Sequence, residues 1–126
     1  MEKLKTLGYD WEFGHEELII KVNAYRDRNR LYVGLYHEYD GICEGFGDLT
    51  VNLPAEELKP NEAFIDHHFV NANLAFIQKY QLGEIMPVVV TSGYAKFVKV
   101  GFNLEQLAVY DPDGVQLYRE LHSNEL

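Results

Sequence analysis

Residues 17–36, ELIIKVNAYRDRNRLYVGLY, decide the fold class. Leu18, Ile20, Val22 and Ala24 alternate with Glu17, Ile19, Lys21 and Asn23, the period-two pattern of a half-buried strand. The polar run Arg26-Asp27-Arg28-Asn29-Arg30 interrupts it. Leu31, Val33 and Leu35 then face one way and Tyr32, Gly34 and Tyr36 the other. Two alternating runs joined by so short a connection form an antiparallel hairpin.

Working outward, Leu7 to Phe13 alternates on odd numbers and reads as an edge strand. Downstream, Asp40-Gly41 supplies the positive φ of a tight turn. The next strand is expected to run on through Leu49-Thr50-Val51-Asn52-Leu53 until Pro54, with Gly45 and Gly47 marking a bulge. Ala63-Phe64-Ile65 suits a short strand. Asn71 is the expected N-cap of a helix over Ala72 to Leu82, with Gly83 closing it. On that helix Phe76, Ile77 and Tyr80 share one arc. Val88 to Thr91 and Tyr94 to Val100 read as strands around Ser92-Gly93. Asn103 is expected to cap a short helix through Tyr110, and Asp111-Pro112 to open a last one with Leu117, Tyr118 and Leu121 as its apolar stripe. The tail after His122 is expected to fray. The expectation is one α+β domain over residues 1–126: an antiparallel meander of about four to six strands, one main helix packed on one face, and short C-terminal helices.

Composition bounds the function. Twenty acids against eleven Lys and Arg give a net charge of −9, which disfavours direct contact with nucleic acid or an anionic membrane. A single cysteine, Cys43, cannot form an internal disulfide. Met1-Glu2-Lys3-Leu4 has no apolar signal core, and the run Ile85 to Val90 is too short to span a bilayer. These features predict a soluble cytoplasmic protein that uses no cofactor.

Asp66-His67-His68, upstream of the main helix, has residue types that suit metal ligation or proton transfer. Adjacent side chains on an extended segment point to opposite sides, however, so the expectation is a structural turn with Asp66 accepting backbone amides, and no metal. Cys43 lies near the acids Asp40 and Glu44, whose charge disfavours an activated thiolate, so pairing with His37 or His67 as a base is not expected. Gly41 to Asp48, GICEGFGD, lacks the Lys-Ser/Thr of a phosphate loop and reads as a bulged hairpin. Arg26, Arg28 and Arg30 read as a solvated hairpin end.

Charge distribution is more informative. Between Arg30 and Lys59 there is no Lys or Arg, while Glu38, Asp40, Glu44, Asp48, Glu56 and Glu57 fall inside. Glu38, Asp40, Glu44 and Asp48 are therefore the expected contact residues for a basic protein partner, or imitators of DNA phosphates. Two other readings stay open: a small enzyme or metal-binding protein using Asp66, His67 or His68, and a module self-associating through Trp11, Tyr32 and Tyr36.

Three stretches carry a resemblance: Leu49-Thr50-Val51-Asn52-Leu53; Ala63-Phe64-Ile65-Asp66 leading to Phe76-Ile77 and Leu82-Gly83; and Ser92-Gly93-Tyr94 with Phe102-Asn103-Leu104-Glu105-Gln106-Leu107. By their order and spacing, over roughly residues 30 to 107, the chain resembles the small bacterial family known as domain of unknown function 4313. The resemblance implies a setting on conjugative elements or plasmids, and that setting suggests an accessory role with a host or element-encoded partner, one version being an anti-defence protein. It carries no activity to transfer.

Overall fold

The computed structural model describes residues 5–123. The expectations for Met1 to Leu4 and for the tail beyond Ser123 lie outside the described residues. The first sheet is a meander in sequence order: β1 (Leu7–Trp11), β2 (Gly14–Ala24), β3 (Leu31–Tyr39) and β4 (Ile42–Asp48), every pair antiparallel. The alternation of β2 and β3 translates directly into burial. Leu18, Ile20 and Val22 lie on one face with Leu31, Val33 and Leu35, each at most 5% exposed. Asp40 (φ 51°) and Gly41 (φ 81°) make the two-residue turn between β3 and β4, the left-handed pair that matches the twist of a hairpin. The register slips between Leu35 and Tyr36, where Gly47 and Gly45 are the partners and Phe46 is left over, so the expected bulge is present. Arg30 departs from the solvated end foreseen for it: its Nη2 donates to the Glu56 carbonyl at 2.6 Å.

The strand expected to run from the glycines through Leu53 is two strands in two sheets. β4 stops at Asp48, and β5 (Thr50–Val51) belongs to a second sheet of order β5–β6–β8–β7, with β6 (Glu62–Ile65), β7 (Gly83–Ser92) and β8 (Ala95–Phe102), again antiparallel throughout. Leu49, fully buried, is the seam. Its N–H donates to the Val33 carbonyl of β3 at 2.9 Å and its own carbonyl accepts at 3.0 Å from the N–H of Asp66, the residue that follows β6. The apolar alternation of Leu49, Val51 and Leu53 correctly signals a strand, but pattern alone does not choose its partner.

Helix α1 (Val70–Lys79) packs against β1 and across the second sheet, burying Phe76 and Ile77. Both of its expected ends move. The N-cap is Phe69 in a left-handed conformation (φ 55°), and Asn71 sits exposed in the first turn. At the other end Gln81 (φ 55°) takes the left-handed position: Gln81 N–H donates to Gln78 and Leu82 N–H to Ile77, the paired bonds of a Schellman ending. Gly83 already belongs to β7. A Cβ there would stand 2.8 Å from the Gly101 carbonyl oxygen and 3.0 Å from Phe102 Cα, so glycine is needed for the close approach of β7 to β8.

The C-terminal caps are as expected. Asn103 accepts from Gln106 N–H ahead of α2 (Leu104–Tyr110), and Asp111 accepts from Gly114 N–H ahead of α3 (Pro112–Leu121), with Pro112 at the first helical position. The stripe of α3 is not Leu117, Tyr118 and Leu121. Val115, Tyr118 and His122 are buried, while Leu117 and Leu121 are 63% and 57% exposed. Asp111 does a second job, since its Oδ2 accepts Val22 N–H at 2.8 Å and fastens α3 to β2. The α+β class therefore stands, the described residues forming eight strands in two antiparallel sheets, one helix at their junction and two short helices following.

Candidate functional site

The buried face of the first sheet continues past the cover of α1. Along β1, Leu7, Tyr9 and Trp11 share that face; Leu7 and Tyr9 are enclosed, whereas Trp11 is half-buried and Phe13 in the following turn is 72% exposed. The bulge brings the Phe46 ring to 5.1 Å from Trp11 and 5.5 Å from Tyr9, both near perpendicular. From the second sheet, the turn after β6 carries Phe69, 44% exposed, to 5.1 Å from Trp11. These rings wall a cleft of about 460 Å³ at the junction of the sheets, which Leu35, Gly47, Asp48, Asp66, His68 and Asn73 complete.

Polar groups set the cleft's geometry. Trp11 Nε1 donates to Glu16 at 3.3 Å, and the other Glu16 oxygen pairs with His37 Nε2 at 2.8 Å, fixing the indole. His37 holds the Glu16 carboxyl below its ordinary range. Asn73, only 4% exposed, forms the floor. Its Oδ1 accepts the Tyr9 hydroxyl at 2.6 Å, and its Nδ2 donates to the carbonyls of Asp66 at 3.3 Å and His68 at 3.2 Å. Burial, reinforced by the Asp66 charge, pushes the Tyr9 phenol up to about 12. The combination of apolar walls and a few convergent polar groups is that of a ligand or partner site.

Asp66 does form the expected turn, accepting His68 N–H at 2.9 Å. The two histidines do not point apart, however. The segment is bent, and the His67 and His68 rings lie side by side with centroids 4.1 Å apart. Divergence of neighbours is a property of extended backbone, and Phe69 in the left-handed region ends that geometry here.

The hairpin acids Glu38, Asp40, Glu44 and Asp48 are all exposed, but they do not share one face. Glu44 stands opposite His37, Glu38 stands opposite Cys43, and Asp40 occupies the tip. The pleat thus divides Glu38 and Asp48 from Glu44, so the charge lies on both sides of a ribbon. Glu38 accepts Gly41 N–H at 2.7 Å, and Asp48 accepts the Tyr32 hydroxyl at 2.8 Å, itself 2.7 Å from that of Tyr36. Tyr32 and Tyr36 are therefore on the face opposite Trp11, and these three aromatics do not form one surface. Cys43 is exposed on β4.

One further cluster escaped sequence reasoning. His15 Nδ1 meets Asp10 at 2.6 Å and its Nε2 meets Glu17. Asp10 first and then Glu17 raise the imidazole's pKa, while His15 lowers both carboxyls. Because the folded value lies above the ordinary 6.5, the clamp's contribution to stability is complete below that pH and is lost as pH rises through the raised value. An NMR titration is expected to show His15 titrating above 6.5, and to move back toward it in Asp10→Asn with Glu17→Gln. An unshifted wild-type curve would refute the clamp. The cue in the sequence was the pleat itself: Asp10 and His15 are cross-strand partners, and Glu17 lies on the same face as His15.

Among the described residues no helix is long and apolar enough to cross a membrane. No curated protein and no solved structure matches the chain. The family model of DUF4313 matches residues 19–121, a span that takes in Phe46, Asp66, Phe69 and Asn73 and starts after Tyr9, Trp11 and Phe13. By that match, the chain belongs to the family described as domain of unknown function DUF4313.

Proposed function

We propose that this is a non-enzymatic accessory protein that binds a basic protein partner, seating an arginine- or lysine-bearing segment in the aromatic cleft with the β3–β4 hairpin flanking it. The observation that carries the reading is the exposure of Phe13 and Phe69 against a half-buried Trp11, beside carboxylates in a chain of net charge −9. Exposed aromatic carbon is unfavourable in water, and it gains most from a guanidinium or a long aliphatic stem with a charged end. Aromatic anchors within an acidic rim supply both parts of such recognition: burial for affinity, and charge for steering and selectivity.

The division of the hairpin acids between two faces favours a rim over a flat docking plate. The resemblance to proteins of conjugative elements and plasmids suggests the setting, with one version an anti-defence protein that occupies a host DNA-binding enzyme by offering carboxylates where that enzyme takes phosphates. Capture of partners from a bacterial host lysate tests the reading. Phe13→Ala with Phe69→Ala is expected to weaken the captured interaction by about tenfold or more, and Glu38→Gln, Asp40→Asn, Glu44→Gln with Asp48→Asn to remove most of its salt dependence. A partner held equally by all variants would refute it.

A further inference from the structure

We infer that the turn Asp66-His67-His68 binds a divalent transition-metal ion of the zinc, cobalt and nickel class, a capacity different in chemistry from partner binding but adjoining it, since Asp66 and His68 also line the cleft. One donor atom from each of the three side chains lies within 4.8 Å of the others. The two Nδ1 atoms both face Asp66 Oδ1, at 3.8 Å from His67 and 3.1 Å from His68. Ligands at about 2.1 Å from a tetrahedral ion stand about 3.4 Å apart, so small χ rotations of exposed side chains complete the set.

The backbone that presents them is held before any ion arrives. Asp66 N–H is bonded to the Leu49 carbonyl at the seam of the two sheets, the carbonyls of Asp66 and His68 receive the buried Asn73 amide, and Phe69 is left-handed. The His67 ring also rests edge-on against Phe97 at 5.4 Å. Preorganisation of this kind reduces the ordering cost of binding. Two imidazoles and a carboxylate form a borderline N,N,O set, which suits zinc, cobalt or nickel better than calcium or magnesium. The hollow over the two rings, about 430 Å³ and also lined by Glu12, leaves room for water or a fourth carboxylate. This is the open three-ligand form, so exchangeable binding is expected rather than a permanent structural ion.

Untagged full-length protein titrated with Co²⁺, followed by visible absorption, and with Zn²⁺, followed by calorimetry, tests the inference. The expected result is about one ion per chain, with affinity falling by about tenfold or more in His67→Ala and in His68→Ala, and unchanged in His15→Ala. Both ligand histidines are exposed, so these variants keep the fold, which circular dichroism verifies. Asp66→Asn, which retains an oxygen for the His68 amide, is a third ligand variant and is expected to weaken binding in the same direction. No binding at millimolar metal, or binding that both histidine variants leave intact, would overturn the assignment.

Discussion

Asn73→Ala is expected to destabilise the protein by about 3–5 kcal/mol. The side chain is 4% exposed and its three hydrogen bonds join β1 to the turn that precedes α1. Its removal strands the Tyr9 hydroxyl, whose residue is 2% exposed, and leaves two carbonyls without this donor. A buried polar group without a partner costs about 1–3 kcal/mol, more than the bond itself contributes. The double variant Asn73→Ala with Tyr9→Phe is expected to recover about 1–2 kcal/mol, because the hydroxyl is then absent instead of orphaned. Urea denaturation provides the check, as a lowered midpoint at constant slope. A loss under about 1 kcal/mol would mean that water reaches the floor of the cleft.

Asp111→Ala comes next, with an expected loss of about 2–4 kcal/mol. One carboxylate oxygen caps α3 through Gly114 N–H at 3.2 Å and the other accepts Val22 N–H at 2.8 Å. A lost cap costs about 1 kcal/mol, and the stranded strand amide adds to that. Asn is an informative substitute, because one of its two positions becomes a donor facing a donor; it is expected to fall between wild type and Ala. Gly114→Ala reaches the same contact from the other side, since its Cβ would lie 2.1 Å from Asp111 Oδ2 and 2.5 Å from the Val22 carbonyl oxygen. Equal stability of Asp111→Asn and wild type would contradict the two-bond assignment.

The caps also show what the residues disclosed in advance. Asn103 and Asp111-Pro112 were legible because a short acceptor side chain, followed by helix-compatible residues, meets the local need for a cap. The ends of α1 were not, because Phe69 and Gln81 adopt left-handed backbone against their own preference, and the bonds that close the Gln81 end, Gln81 N–H to Gln78 and Leu82 N–H to Ile77, are backbone bonds that no residue type announces. Gly83 was noticed for the wrong reason: a glycine after a helical run suggests a cap, whereas here it admits a neighbouring strand. The stripe of α3 failed similarly, since Leu117 and Leu121 repeat as well as Val115, Tyr118 and His122 do, and only the packed surface decides between them.

At the site, the acids of the hairpin were visible as charge, but their division between two faces follows from the register of β3 with β4. The cleft was hidden for a different reason. Trp11, Phe13, Phe46 and Phe69 are scattered along the chain and carry no shared motif; a bulge, a turn and the crossing at Leu49 bring them together. Bending did the same for Asp66, His67 and His68, whose proximity an extended backbone would forbid.

Trp11 is the chain's one tryptophan and stands in the wall of the cleft, so its fluorescence reports on occupancy of the proposed site. Titration with an Arg/Lys-rich peptide is expected to shift Trp11 emission saturably, with an affinity that falls as salt rises and drops about tenfold in Phe69→Ala. An acidic peptide of equal length is expected to leave it unchanged. A silent tryptophan with every basic peptide, or an equal response to the acidic one, would contradict the account.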